Sequence, residues 1–104
     1  KTPPVLQPVI RTHPITGRKA IYVDPAMVPM IDGLPNDESR DLLDELFDWI
    51  ARPEFIYRHE WNVGDAILWD NATTMHRRDN FDPQSIRLMK RATILPPSQF
   101  AVPF

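Results

Sequence analysis

The chain predicts a mainly β fold with one outer helix, read from the residues as an antiparallel β sandwich or barrel half with a helix packed outside. Short β-prone runs recur along most of the length, only one stretch has helical periodicity, and turn residues punctuate the rest. Val9 to Thr12 and Lys19 to Val23 are the first two strands, and the glycine-containing connection Pro14-Ile15-Thr16-Gly17-Arg18 makes them a hairpin. Asp24-Pro25 ends the second strand, and Ala26 to Ile31 allows one short helical turn before Asp32-Gly33.

The helix is predicted from Asp37 to Ala51. Asn36 serves as N-cap, and Asp37 and Glu38 place negative charge in the first turn, where the helix dipole favours it. Leu42, Leu43, Leu46, Phe47, Ile50 and Ala51 form one apolar stripe that reads as core packing, and Arg52-Pro53 stops the helix. Beyond it the chain reads as β. Phe55 to Trp61 is a strand with Phe55, Tyr57, His59 and Trp61 on one face. Asn62-Val63-Gly64-Asp65 is a tight turn, and Ala66 to Trp69 and Thr73 to Arg78 are short strands. Ser85 to Ile94 is the last long strand, closed by Pro96-Pro97.

A chain of 104 residues can enclose one modest core. Its net charge of −2 gives no general pull toward nucleic acid or an anionic membrane. No apolar run approaches the ~20 residues that span a bilayer, and no signal-peptide pattern opens the chain. With no cysteine there are neither disulfides nor thiolate metal ligands, which fits a cytoplasmic protein. The start at Lys1-Thr2-Pro3-Pro4 and the 12 prolines, roughly twice the usual share, suggest the C-terminal part of a larger domain.

The residues with most chemical potential are His76, Arg87 and Arg91. Histidine is the commonest metal ligand among side chains, and arginine grips a carboxylate with two parallel hydrogen bonds. One metal ligand followed by two anion grips suggests a site where a metal and a small dicarboxylate meet. On the last strand Arg87, Met89, Arg91 and Thr93 share one side, with the two arginines about 13 Å apart. The plainer readings are a structural, hydrogen-bonding His76 and a solvated strand face bearing the arginines, with Asp79 and Asp82 available as partners. His13, before Pro14, and His59, beside Arg58 and Glu60, add no motif. No His-x-Asp or His-x-Glu occurs, so the evident motifs cannot assemble a two-histidine, one-carboxylate iron site. Asn71-Ala72-Thr73 matches the glycosylation acceptor pattern, which is taken as coincidental.

Several stretches carry a resemblance in order along the chain: Pro8-Val9-Ile10-Arg11-Thr12-His13-Pro14, Thr16-Gly17-Arg18-Lys19, Arg52-Pro53-Glu54-Phe55 and Trp61-Asn62-Val63-Gly64-Asp65. Trp69-Asp70-Asn71, His76 and Arg87-Leu88-Met89-Lys90-Arg91-Ala92-Thr93-Ile94 continue it. From Gln7 to Leu95 the chain resembles the C-terminal half of the taurine dioxygenase / 2,4-dichlorophenoxyacetate dioxygenase family. These are non-haem iron(II), 2-oxoglutarate-dependent oxygenases. The resemblance implies the second half of a double-stranded β-helix (jelly roll), with residues 1–104 as the C-terminal part of a single dioxygenase domain whose N-terminal half is absent. It also implies that His76 is the distal histidine ligand of iron(II). Arg87 would hold the far carboxylate of 2-oxoglutarate, with Arg91 beside it in the cosubstrate site. Arg91 would also grip the anionic group of the substrate.

The implied activity is hydroxylation of a small anionic organic substrate (a sulfonate, sulfate ester or aryloxy carboxylate) by dioxygen, with succinate and carbon dioxide as co-products. Met75-His76-Arg77-Arg78 and Glu54-Phe55-Ile56-Tyr57-Arg58-His59 lean toward the phenoxyacetate branch. The first histidine and the carboxylate of the iron triad, and the threonine that assists the far carboxylate of 2-oxoglutarate, would lie upstream of Lys1. This chain alone is therefore expected to bind iron weakly and not to turn over, with the complete protein a homo-oligomer. The rival reading is a catalytically incomplete β half-domain that acts as a binding or structural module. Trp69-Asp70-Asn71 and the Thr16-Gly17-Arg18 hairpin read as scaffold.

Overall fold

The computed structural model describes Pro3 and residues 5–95. Its elements are β1 (Ile10–Thr12), β2 (Lys19–Ile21), α1 (Asn36–Ile50) and a single 3-10 turn at Pro53–Phe55. β1 and β2 form the expected antiparallel hairpin, with Ile10 opposite Ile21, Arg11 opposite Ala20 and Thr12 opposite Lys19. The Tyr22 N–H donates to the Val9 carbonyl at 2.7 Å and continues the pairing past the strand ends. At the other end His13 N–H donates to Arg18 O (2.8 Å) and Gly17 N–H to His13 O (2.9 Å). Gly17 takes φ +69°, a conformation that glycine enters without a Cβ penalty. Above the hairpin, the Arg11 guanidinium lies 4.0 Å from the centre of the Tyr22 ring.

Asp24 then caps one turn. Its carboxylate accepts from Ala26 N–H (2.7 Å) and its carbonyl from Val28 N–H (2.9 Å), close to the short turn expected at Ala26 to Ile31. α1 starts at Asn36, with Pro35 in the cap position and no side-chain cap. Asn36 is thus the first helical residue and not its cap. Proline suits this boundary because its fixed φ is compatible with helix entry and it has no N–H to satisfy. The side chain that ties down the helix start is Ser39, whose Oγ accepts from Ile31 N–H at 2.7 Å.

Val23 and Leu43 are the buried apolar residues among those described, and Ser39 is the buried polar one. Leu46, Phe47 and Ile50 are half-buried along the predicted stripe, whereas Leu42 and Ala51 are exposed. With Leu43 at 0% exposure, Leu43→Ala should cost about 2–5 kcal/mol through lost burial and a cavity. Ser39→Ala should cost about 1–3 kcal/mol, because the Ile31 N–H loses its acceptor. Urea unfolding of the two variants checks both values.

The second half departs from expectation. The strands predicted at Phe55 to Trp61, Ala66 to Trp69, Thr73 to Arg78 and Ser85 to Ile94 do not form, and β1–β2 is the sheet among the described residues. These residues accordingly show a hairpin and a helix, and neither a mainly β fold nor a jelly roll. A strand exists only through a ladder with a neighbour, and these segments find none. Ile86 stands 100% exposed and Leu88 84%, so the apolar side of the predicted last strand is uncovered. Pro96-Pro97, the predicted end of that strand, lies outside the described residues.

Part of the alternation survives without pairing. The His59 ring meets Trp61 edge-on at 4.7 Å and lies 6.2 Å from Tyr57, so three of the four residues expected on one face do share it. Phe55 does not. It sits in the 3-10 turn and packs 6.1 Å from Trp49 of α1. The predicted turn at Asn62 to Asp65 is present, closed by Asp65 N–H to Asn62 O (3.1 Å), with Gly64 at φ +94°.

Candidate functional site

The candidate ligand His76 follows a tightly bonded turn. Asp70 Oδ1 accepts from Ala72 N–H at 2.8 Å, while the Asp70 carbonyl accepts from Thr74 N–H at 3.0 Å and from the Thr74 hydroxyl. An aspartate that bonds its own backbone two residues on is a self-contained turn former. Trp69 Nε1–H donates to Asn71 Oδ1 at 2.8 Å, which gives the asparagine of the glycosylation pattern a structural task. The Trp69 indole in turn packs against the His76 ring, with centroids 4.7 Å apart at 42°. His76 is exposed, and neither ring nitrogen is taken up by a hydrogen bond among the described residues.

His13 has the most connected imidazole of the three. Its Nδ1 accepts the N–H groups of Ile15 (3.1 Å) and Thr16 (3.0 Å), so the ring proton resides on Nε2. Nε2–H then donates to Asp70 Oδ2 at 2.7 Å. Residues that read as two separate pieces of scaffold, the hairpin and the Trp69-Asp70-Asn71 turn, are thereby joined. The sequence carried a faint signal for this: a histidine followed by Pro-Ile-Thr-Gly can accept from the turn amides. Its partner 57 positions away left none.

The Ala72 N–H holds the Asp70 carboxyl below its ordinary range, against the opposing effect of burial and with lesser help from His13 and Thr73. Asp65 is lowered in the same way, first by the Asn62 N–H (2.9 Å) and then by His59 (3.1 Å), whose Nδ1 faces the Tyr57 hydroxyl at 3.3 Å. A carboxyl with a lowered folded-state pKa contributes stability above its unfolded pKa, and that contribution is lost as pH falls through the folded value. Asp70→Asn should therefore lower the thermal midpoint at neutral pH. The gap to wild type should close as pH falls below about 3.9, the ordinary carboxylate value, in melts across that range.

The arginines are placed differently from expectation. With no strand over Ser85 to Ile94, alternation does not set Arg87 and Arg91 on a common face. The Arg87 guanidinium lies 5.2 Å from the Phe81 ring centre, and Arg78 approaches the same ring at 5.0 Å. Asp79 and Asp82 serve neither Arg87 nor Arg91. Asp79 pairs with Arg58, and Asp82 accepts from Gln84 N–H in its own turn (2.9 Å). Both arginines are exposed.

A groove of about 950 Å³ is lined by Tyr22, Val23, Met27, Val28, Met30 and Met75, among others. Among the described residues Asp24 and Asp32 are its charged members, and no lysine, arginine or histidine lines it. Met75, which precedes His76 in the chain, is one of its walls. Among the described residues no three histidine, aspartate or glutamate side chains gather to hold a metal ion. An exposed imidazole with unengaged nitrogens is chemically able to fill one coordination position of a metal. No helix among them is long and apolar enough to cross a membrane.

Comparison with known proteins covers nearly all of this chain. Residues 1–93 match the family described as Taurine catabolism dioxygenase TauD, TfdA family. The alpha-ketoglutarate-dependent 2,4-dichlorophenoxyacetate dioxygenase of Cupriavidus pinatubonensis is 44% identical over 93 residues, covering 89% of this chain and 32% of that enzyme. The (S)-phenoxypropionate/alpha-ketoglutarate-dioxygenase of Sphingobium herbicidovorans is 38% identical, over 88% of this chain and 32% of the relative. Pentalenolactone F synthase of Streptomyces arenae is 36% identical, over 83% and 29%. No solved structure matches. The chain thus spans about a third of the length of the curated relatives it matches. With the match running from residue 1 to residue 93, the chain belongs to the TauD, TfdA family of dioxygenases.

Proposed function

We propose that this chain is the C-terminal part of an iron(II)- and 2-oxoglutarate-dependent dioxygenase that hydroxylates a small anionic organic substrate, with an aryloxy carboxylate as the first candidate. The observation that carries this reading is the family match over residues 1–93, which includes His76, Arg87 and Arg91 in order. The relatives named for phenoxy substrates favour the aryloxy class. The complete domain is proposed to be a jelly roll, in which strands from outside this chain cover Ile86, Leu88 and Ile94 and supply the other two iron ligands.

In this reading His76 offers one imidazole nitrogen to iron(II), and Trp69 limits the rotation of its ring. Arg87 holds the far carboxylate of 2-oxoglutarate by paired hydrogen bonds, with Arg91 next to it. When bound, iron(II) with 2-oxoglutarate and dioxygen supplies the oxidising chemistry, and succinate and carbon dioxide leave as co-products. The Met27, Met30 and Met75 groove suits the apolar body of a substrate. Its two carboxylates, Asp24 and Asp32, repel an anionic head group, which in this reading lies outside the groove, at Arg91. Hydroxylation at a carbon bearing an ether oxygen gives a hemiacetal that collapses and cleaves the ether.

The uncovered apolar side chains around Ile86 favour a second reading, a β half-domain that binds a partner and catalyses nothing. Incubating the intact protein with iron(II), 2-oxoglutarate and a panel of aryloxyacetates, alkylsulfonates and sulfate esters separates the two. The dioxygenase reading expects succinate in step with phenol release from the aryloxyacetates. No succinate above the iron-free control with any substrate would leave the binding module.

A further inference from the structure

We infer that His13 and Asp70 form a positioning pair that sets the orientation of His76 through Trp69, an inference that rests on the reading of His76 as a metal ligand. The His13 ring is fixed at both nitrogens. Nδ1 accepts from Ile15 and Thr16 in the turn between β1 and β2, and Nε2–H reaches Asp70 Oδ2 at 2.7 Å. The His13 side chain is only 14% exposed, so this bond is partly shielded from water. Asp70 uses its other oxygen to close the turn at Ala72, and one carboxylate thus joins the hairpin to that turn. Trp69, the preceding residue, is pinned through its indole nitrogen by Asn71 at 2.8 Å. The indole is then set 4.7 Å from the His76 ring. The hydrogen-bonded links are short, Asp70 joins Trp69 through the backbone, Trp69 meets His76 by ring packing, and the hairpin is the regular element from which the chain of contacts starts. Groups that orient a metal-ligating histidine affect metal affinity strongly, by about 10–100-fold when removed.

The two jobs of His13 can be separated. In His13→Asn the side-chain oxygen stands where Nδ1 was and still accepts the turn amides, but nothing reaches Asp70. In His13→Gln the amide nitrogen stands where Nε2 was and still donates to Asp70, but the turn acceptor is lost. Asp70→Asn keeps an acceptor for Ala72 N–H and loses the carboxylate facing His13. The readouts are the His76 ring-proton shift in histidine-labelled intact protein, assigned by its absence in His76→Gln, and the Kd for cobalt(II).

His13→Asn and Asp70→Asn should move the His76 shift in the direction given by Trp69→Leu, while amide shifts of the β1–β2 hairpin stay native in His13→Asn. Both should weaken cobalt(II) binding about tenfold. The double variant should be no worse than either single one, and His13→Gln should keep both readouts near wild type. A His76 shift unchanged in His13→Asn and Asp70→Asn would overturn the positioning role, as would additive losses. Cobalt(II) affinity left unchanged by His76→Gln itself would overturn the ligand assignment instead, and the ring shift separates these two failures.

Discussion

His76→Ala in the intact protein should abolish iron(II)-dependent succinate formation from 2-oxoglutarate. Loss of an outer group that merely orients a ligand costs about 10–100-fold in affinity or activity, so loss of the ligand itself should cost at least a hundredfold. The effect is expected to be specific among the histidines. In His59 both ring nitrogens are taken up, by Tyr57 and Asp65, and His59→Gln should retain turnover. Mass-spectrometric detection of succinate with and without iron(II) is the check. Turnover retained in His76→Ala would remove this residue from the metal and leave it as a packing partner of Trp69.

The second large effect is expected at Arg87. A hydrogen bond to a charged group contributes about 1.5–3 kcal/mol, so Arg87→Ala should raise the Kd for 2-oxoglutarate roughly 10- to 100-fold. Arg87→Lys should recover only part of this, because an ammonium keeps the charge but lacks the planar fork that matches a carboxylate. Arg91→Ala should act more on the KM of the organic substrate than on that of the cosubstrate. In the absence of an anion the Arg87 guanidinium lies against the Phe81 ring, which Arg78 also approaches. A 2-oxoglutarate affinity unchanged in Arg87→Ala would contradict the assignment.

The elements legible in the sequence are those stabilised by near neighbours. The hairpin followed from Pro14 to Arg18 because its closing bonds, His13 to Arg18 and Gly17 to His13, lie within a few residues. The helix followed from the stripe through Leu43, Leu46, Phe47 and Ile50 and from the stop at Arg52-Pro53. It starts one position earlier than the sequence predicts, because Pro35 takes the cap position without a side-chain bond, whereas Asn36 has the side chain usually found there. The Asn62 to Asp65 turn was equally local.

What depended on distant partners was not legible. Alternation at Ile86, Leu88, Ala92 and Ile94 says how a strand would face, but a ladder must come from another segment. The second half therefore reads as β and does not pair as β among these residues. His13 shows the same limit in a side chain: its neighbours reveal a turn, while Asp70 lies far along the chain. For the candidate site, the types and order of His76, Arg87 and Arg91 were readable, and the resemblance gave each a role. Their actual neighbours were not readable: Arg87 turns to Phe81, and His76 packs against Trp69.

The most direct measurement is calorimetric titration of 2-oxoglutarate into the intact protein under anaerobic conditions, with and without iron(II). If His76 is an iron ligand and Arg87 a cosubstrate grip, one 2-oxoglutarate should bind per chain, and binding should be far tighter with iron(II) present. Absence of binding, or the same affinity with and without iron(II), would contradict a shared metal and cosubstrate site.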